Sequence, residues 1–326
     1  MGVIAGIDEA GFGPVLGPLV VSTVAFRLPE ASRDADLWSL LGSTVTRKPS
    51  RRAGTLAIGD SKKLYHRKRP NALAHLERAV LAALATRGVR VGSLRELLSA
   101  VAPGAEARLA EYPWYAEAEL PLPHCISATD VALAGNALAS ALGDAGASLA
   151  ALRAEVVCVG EYNRMVQATN NKATALFDVN SRLFAQLWGS LWRGGSPGAV
   201  TLWVDRHGGR IHYRRPLQRL FPRCEFKIVA ESDTRSSYRI AEGPRAMDIH
   251  FGVEFDRLHL PVALASMTCK YLRELFMVLL NRFWAERVGG LAPTAGYYTD
   301  GRRFLGEIDQ AIREADVRRD LLQRCR

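Results

Sequence analysis

The fold of this chain is decided by a short stretch near its beginning, Gly6-Ile7-Asp8-Glu9-Ala10-Gly11-Phe12-Gly13-Pro14. The apolar residues 3–7 predict a buried strand, and two adjacent carboxylates follow them. Neighbouring side chains of a regular strand point to opposite faces, so Asp8 and Glu9 serve one site only if the strand ends between them. The glycines that follow give the backbone that freedom. Two interpretations stay open: a turn with solvated acids, or a site for a divalent cation and a phosphate.

The composition is that of a globular protein with a basic balance. The chain has 326 residues, 48% of them hydrophobic and 23% charged, which is enough for a large core in one or two domains. Its net charge of +10 suits nucleic acid or another polyanion, although it also serves solubility. The five cysteines are scattered and form no CxxC pair. We therefore expect reduced thiols rather than disulfides or a zinc site.

No segment predicts secretion or a membrane span. The beginning of the chain lacks a basic region followed by an apolar core, so we expect no signal peptide. The longest apolar run, residues 15–26, is too short and too rich in glycine to cross a bilayer. We expect a cytoplasmic protein that does not bind membranes.

The order of patterns predicts strands and helices in one α/β unit. A second buried strand, residues 199–204, ends on Asp205, and strand ends in such sheets are where sites are assembled. His207 follows it and is expected to be a turn residue rather than a ligand. Residues 29–57 are polar and predict an elaborated loop. Further strands are predicted at 19–26, 155–159 and 224–229, a hairpin at 236–240 and 248–255, and helices at 67–85, 127–152, 170–192 and from 261 onward.

Basic residues recur at three places, each with two interpretations. The cluster at residues 47–52 is a solvated surface or, as the less favoured alternative, a phosphate contact. Lys62 lies at a predicted helix start. It is either an ordinary residue of that helix start or a contact to a phosphate backbone. Ser266, Lys270 and Glu274 are spaced four residues apart on one helix face, which indicates a surface ion pair or part of a site.

Five segments, in this order, resemble the type 2 ribonuclease H family, which includes ribonucleases HII and HIII. The first is highly specific, the others are individually weak, and their joint order argues against chance. The resemblance implies an α/β ribonuclease H-like fold, with a mixed central sheet flanked by helices. It implies a single domain, 1–326, with insertions at 29–57, 88–150 and 232–260. The segments are GIDEAGFGPVLGP at 6–18, DSKKL at 60–64, VD at 204–205, ASMTCKYLRE at 265–274 and GYYTD at 296–300.

The resemblance also implies a metal centre. Its four acidic ligands fall on Asp8, Glu9, Asp205 and Glu274. Four crowded carboxylates repel one another unless cations neutralise them. Two Mg²⁺ or Mn²⁺ ions about 4 Å apart would activate a water and stabilise the leaving oxygen.

The implied substrate is an RNA/DNA hybrid or DNA that contains ribonucleotides. Lys62 and Lys270 would contact phosphates. The turn Gly11-Phe12-Gly13 would face the sugar edge, where a 2′-hydroxyl distinguishes RNA from DNA. Tyr297 matches the family's junction-sensing tyrosine, which stacks on the sugar of the nucleotide after the ribonucleotide. No partner protein is implied.

Two departures from the family pattern bear on substrate choice. Phe12 stands where the family's turn has arginine, so a phosphate-binding guanidinium is missing. Glu274 stands where ribonuclease HII has aspartate, as in ribonuclease HIII, whereas Tyr297 matches ribonuclease HII. The leading hypothesis is an endonuclease that cuts the RNA strand of hybrids. The alternatives are a nuclease of this fold with another nucleic-acid substrate and a non-catalytic nucleic-acid-binding protein.

Overall fold

The chain folds around one mixed β-sheet. The structure is a computed structural model, and it describes residues 1–52, 54–67, 69–117, 119–191 and 200–325. Seven strands form the central sheet, in the order β5-β2-β1-β6-β9-β8-β7, and β3 and β4 form a separate parallel pair. The strands are β1 (Gly2–Ala10), β2 (Leu19–Leu28), β3 (Val45–Thr46), β4 (Leu56–Ala57), β5 (Ser148–Val157), β6 (Val200–Asp205), β7 (Glu225–Glu231), β8 (Arg235–Glu242) and β9 (Arg245–Gly252).

Helices pack on both faces of this sheet. A 3₁₀ turn at Glu30–Ser32 precedes the first of them. The helices are α1 (Leu37–Leu40), α2 (Ser61–Leu64), α3 (Ala74–Ala85), α4 (Leu94–Val101), α5 (Ala105–Leu109), α6 (Pro113–Ala116), α7 (Ala128–Asp144), α8 (Val159–Thr169), α9 (Lys172–Ser190), α10 (Arg214–Leu220), α11 (Phe255–Leu258), α12 (Leu260–Ala285), α13 (Tyr298–Glu307), α14 (Asp309–Glu314) and α15 (Arg319–Leu322).

Strand β1 lies in the middle of the sheet and contributes to two hydrophobic cores. It pairs antiparallel with β2 and parallel with β6. Val3, Ala5 and Ile7 belong to the core that also contains the apolar side chains of α9, and Ile4 belongs to the core on the α12 side. This alternation follows from the two-residue period of a strand. Both faces of the sheet are therefore covered, which confirms the expected mixed sheet flanked by helices.

The long helix α12 crosses β1 in direct backbone contact. A Cβ atom at Gly6 would lie 2.2 Å from the backbone nitrogen of Val262, so only glycine fits at the crossing. Pro261 occupies the first turn of the helix, where its missing N–H costs nothing. Below the crossing, the Cys269 thiol donates to the carbonyl oxygen of Asp8 at 3.0 Å. These contacts fix the face of α12 that lies beside the end of β1.

Most predicted elements are confirmed, and two predictions need correction. Residues 29–57 are not an irregular loop, because they form the 3₁₀ turn, α1 and the β3–β4 pair. The predicted hairpin is formed by β8 and β9, yet β9 also pairs in parallel with β6 and so belongs to the central sheet. Residues 192 and 199, at the ends of two predicted elements, and 326 lie outside the described residues.

A buried carboxylate ties residues 88–150 to α12. Glu77 of α3 is fully buried and accepts hydrogen bonds from the backbone N–H groups of His124, Cys125 and Ile126 at 2.5, 2.6 and 3.1 Å. The hydroxyl of Tyr271 on α12 donates to the same carboxylate at 2.7 Å. One side chain thus satisfies four donors from two parts of the chain, three of them partly buried and the Tyr271 hydroxyl fully buried.

We predict that Glu77→Ala destabilises the fold by at least about 3 kcal/mol, because each buried donor that loses its partner costs roughly 1–3 kcal/mol. Urea unfolding measures the change. Glu286→Ala, at the exposed end of α12, is the matched control and is expected to stay within about 0.5 kcal/mol of the parent. Equal stability of the two variants would contradict the role of Glu77.

Candidate active site

An acidic cavity of about 390 Å³ opens where β1 and β6 end. Carboxylates outnumber cationic side chains on its walls, which is the arrangement expected of a cation site rather than of an anion site. Its charged lining residues are Asp8, Glu9, Asp60, Asp205, Glu254 and Asp256 together with Lys62, Arg257, Lys270 and Arg273.

Asp8 and Glu9 both line this cavity, although β1 does not end between them. The strand continues to Ala10 along β2, while its parallel pairing with β6 stops at the pair Ile7–Val204. The expectation that the strand must end between the carboxylates is therefore wrong. Beyond that pair β6 no longer lies beside β1, and the space left there is the cavity that Asp8 and Glu9 both line.

Burial and mutual repulsion make these carboxylates reluctant to ionise. Burial, with the charge of Asp205 as the next cause, raises the pKa of Asp8 to about 8. Burial and the charges of Asp8 and Asp205 raise the pKa of Glu9 well above its ordinary value. Burial and the charge of Asp256 raise the pKa of Asp205 to about 6. The cavity therefore concentrates negative charge that nearby cations must offset.

Ser266 on α12 connects the first carboxylate to the DSKKL segment. Its hydroxyl donates to Asp8 and favours the ionised form of that side chain. The hydroxyls of Ser266 and Ser61 lie 3.0 Å apart within hydrogen-bonding distance. The side chain of Asp60 caps α2 by accepting from the backbone N–H of Lys62 at 3.0 Å. Packing of α2 on α12 thus brings two distant sequence segments to one wall.

Asp256 is the acidic residue that the sequence analysis missed. It lies on α11 and lines the acidic cavity with Asp8, Glu9 and Asp205. Its charge raises the pKa of both Asp205 and Asp8. The adjacent Phe255 donates its backbone N–H to a carboxylate oxygen of Asp205 at 3.3 Å. Only the pairing of β9 beside β6 brings Asp256 to Asp205, so no local pattern in the sequence signals it.

Glu274 does not line the acidic cavity. Its carboxylate accepts from the hydroxyl of Tyr65 at 2.7 Å and lies 3.4 Å from the ammonium group of Lys270 and 3.3 Å from the guanidinium of Arg273. It lines a neighbouring cavity with Tyr65, whose pKa is raised by burial and by the Glu274 charge. Ser266, Lys270 and Arg273 of the same helix do line the acidic cavity, so Glu274 is separated from that cavity by its pairing with two of these residues.

The glycine turn borders the cavity with only its first residue. Gly11 has a φ of +86°, and a Cβ there would lie 2.5 Å from the carbonyl oxygen of Pro18. Phe12 packs against the core on the α9 side. Gly13 is exposed and lines a separate cavity of about 180 Å³ with Lys172 and Arg324. The three residues of the turn therefore face three different surroundings.

Arg324, near the end of the described chain, holds the glycine turn from below. It is 3% exposed, and its guanidinium donates to the carbonyl oxygens of Gly11 and Gly17. Its own backbone N–H donates to the carbonyl oxygen of Val15 at 2.9 Å. Burial, with the nearby Arg273 charge as the next cause, lowers the pKa of Arg324 to about 10. No sequence motif indicates this role, because 307 positions separate Arg324 from Gly17.

The other predicted substrate contacts reach the cavity. Lys62 is exposed, and its charge counteracts the raised pKa of Glu9 and of Asp205. The ammonium group of Lys270 lies 4.5 Å from the ring centre of Tyr65. Tyr297 is 54% exposed at the cavity mouth and precedes the first turn of α13. Two lysines and one exposed aromatic ring therefore surround the acidic centre.

His207 is a buried turn residue, as expected. It follows β6 and packs among the rings of Phe177, Tyr213 and Phe251. Burial lowers its pKa to about 3. Because it does not line the acidic cavity, it does not contribute to the site.

The side chains are not arranged as a closed metal cluster. Within the described ranges, no three His, Cys, Asp or Glu residues are grouped closely enough to hold a metal ion as they stand. All five cysteines are free thiols, as expected. Among the described residues, no helix is both long enough and apolar enough to span a membrane.

The chain is similar to solved structures of ribonucleases HII and HIII. The PCNA:RNase HII complex from Archaeoglobus fulgidus matches at 15% identity and a TM-score of 0.41, over 99% of this chain and 94% of that chain. Ribonuclease H2 from Pyrococcus horikoshii matches at 13% identity and a TM-score of 0.39, over 98% of this chain and 92% of that chain. Bst-RNase HIII in complex with Mn²⁺ matches at 12% identity and a TM-score of 0.41, over 98% of this chain and 65% of that chain. No protein-family model and no curated protein matches the sequence.

We predict that Asp8→Asn stabilises the protein at pH 8 when divalent cations are absent. The pKa of Asp8 is about 8 in the folded chain against an ordinary 3.8, so the folded state keeps a proton that the unfolded chain loses. Stability from this group is present below pH 4 and is lost as the pH rises towards 8. The substitution removes that loss.

Thermal unfolding in EDTA across this pH range measures the effect. The gain in melting temperature should shrink as the pH falls. Asp233→Asn, at an exposed position before β8, is the control and should show no such trend. A melting temperature of Asp8→Asn equal to that of the parent at pH 8 would refute the repulsion at the site.

Proposed function

We propose that this protein is a metal-dependent endonuclease of the ribonuclease H type that hydrolyses the RNA strand of RNA/DNA hybrids. The observation that carries the proposal is the cavity at the ends of β1 and β6. There Asp8, Glu9, Asp205 and Asp256 converge, with Lys62 and Lys270 beside them. An acidic centre with cationic neighbours suits cations at the middle of the site and phosphates around them.

The donor set fits Mg²⁺ or Mn²⁺. All four carboxylates offer the hard oxygen ligands that these ions prefer. Burial, followed by the charges of neighbouring carboxylates, raises the pKa values of Asp8, Glu9 and Asp205, and divalent cations would relieve both the burial penalty and the repulsion. In this proposal Asp256 replaces Glu274 as the fourth ligand. Two bound ions would supply an activated water and charge stabilisation at the leaving oxygen.

The chain's own groups bind and orient the nucleic acid. Lys62 and Lys270 contact phosphates on either side of the scissile bond. The Ser266 hydroxyl, which donates to Asp8, favours the ionised form of that carboxylate. The backbone of Gly11 and the ring of Tyr297 both line the cavity. In this proposal Gly11 faces the ribose edge and Tyr297 stacks on a sugar.

Cleavage assays test the activity directly. Three labelled substrates are compared, each with Mg²⁺ and with Mn²⁺: an RNA/DNA hybrid, a DNA duplex with one ribonucleotide, and an all-DNA duplex. The proposal expects cutting only of strands that contain ribonucleotides, and loss of cutting in EDTA. Cutting of all three substrates, or of none, would refute it.

We predict that Asp256→Asn lowers the cleavage rate by at least about a hundredfold, because it removes a charge at the acidic centre. Glu274→Gln, which changes a carboxylate outside the cavity, is the matched comparison and should retain activity within about tenfold. Cleavage rates at a saturating concentration of the RNA/DNA hybrid measure the effects of both substitutions. The reverse order of the two effects would restore Glu274 as the fourth ligand.

The packing of Phe12 supports a second candidate function, cleavage of a different nucleic acid. The ring lies against the core on the α9 side, so the turn offers no guanidinium to a phosphate. A nuclease of this fold without that contact would favour a substrate other than a lone ribonucleotide in DNA. In the assay above, this candidate expects no cutting of the three duplexes, together with metal-dependent cutting of a structured or single-stranded nucleic acid. A non-catalytic binding protein would bind all three and cut none.

A further inference from the structure

A second cavity, of about 540 Å³, adjoins the acidic cavity. The two share the lining residues Asp60, Asp256 and Arg257, so they are neighbours with a common wall, and we refer to the pair as the groove. We call the second one the flanking cavity. The 29–57 segment and the DSKKL segment supply most of its walls.

The sign of the charge changes along this groove. Six carboxylates and four cationic side chains line the acidic cavity. The flanking cavity has four cationic side chains against two carboxylates, and both carboxylates are the shared ones. The charge beyond the shared boundary is therefore positive. The cationic residues of the flanking cavity are Arg47, Lys48, Lys63 and the shared Arg257.

The wall that carries these charges is preformed. The guanidinium carbon of Arg47 lies 3.6 Å from the ring centre of Trp38, and the guanidinium donates to the carbonyl oxygen of Arg257. The β3–β4 pair holds the backbone on both sides of this stretch. A Cβ at Gly59 would lie 2.3 Å from the carbonyl oxygen of Arg47, so the two backbones touch. A fixed wall binds a ligand at a lower entropic cost than a loose loop.

Two of the four cations remain accessible to a ligand. Lys63 is exposed over 70% of its side chain, and its pairing with Asp60 is loose at 3.8 Å. Lys48 is exposed as well. Apart from the charged residues, the lining is apolar or glycine, namely Trp38, Pro49, Gly59 and Leu64. The lining therefore suits a phosphodiester backbone and its sugars rather than sequence-specific contacts.

We infer that the flanking cavity binds the phosphodiester backbone of the nucleic acid beyond the cleavage position, through Lys48 and Lys63. This inference rests on the proposed function, because it extends the same substrate path. It assigns a role to the 29–57 segment: that segment lengthens the groove on one side of the acidic centre. It also favours the phosphate-contact interpretation of the basic cluster over a solvated surface.

The test is a salt titration of binding with the double variant Lys48→Gln/Lys63→Gln. Fluorescence anisotropy in EDTA measures the binding of two RNA/DNA hybrids, a long one and a short one that fills only the acidic cavity. Each phosphate contact contributes about 0.9 to the slope of log affinity against log salt. We therefore expect the double variant to lower that slope by about two for the long hybrid and to leave the short hybrid unchanged.

The matched control is Arg223→Gln/Lys227→Gln, which removes the same charge at the β7 edge of the sheet. It should keep the parental slope with both hybrids. An equal loss in the two double variants, or an unchanged slope in the Lys48/Lys63 variant, would overturn the inference while the cleavage assay still stands. Failure of the unmodified protein to bind or cut any hybrid would overturn the proposed function itself.

Discussion

The structure depends on the contact between β1 and α12 at Gly6. A side chain there would collide with the backbone at Val262, so the helix lies directly on the strand. That contact sets which residues of α12 reach the end of β1, and it places Ser266 beside Asp8. The carboxylates that gather at this strand end repel one another in a buried space, and their raised pKa values show that protonation relieves part of that repulsion. Sites with such stored strain are typical of function.

The charge pattern of the groove follows from two different parts of the chain. The central sheet brings the carboxylates together, since β6 and β9 lie side by side and end near β1. The cations come from the segments that pack around the sheet, namely α2, α12 and the residues before β4. The proposed function would use both, because divalent cations held by the carboxylates would stabilise charge at the reacting phosphate and lysines would contact neighbouring phosphates.

Two buried cations show how the glycine turn is supported. Arg324 binds two carbonyl oxygens of the turn from below, and Arg273 donates to the carbonyl oxygen of Ala295 at 2.9 Å. Both hold backbone groups whose burial would otherwise leave acceptors unsatisfied.

The sequence by itself determined the apolar strands, the long helices and the placement of Asp8, Glu9 and Asp205 at strand ends, because these follow from local hydrophobic periodicity and strand polarity. Only the tertiary structure shows that Asp256 lines the same cavity as these three carboxylates, because the pairing of β9 with β6 brings α11 beside Asp205. Glu274, on the helix face of Ser266, lines the neighbouring cavity with Tyr65. Strand order and helix crossing are long-range packing outcomes, so no local pattern encodes them.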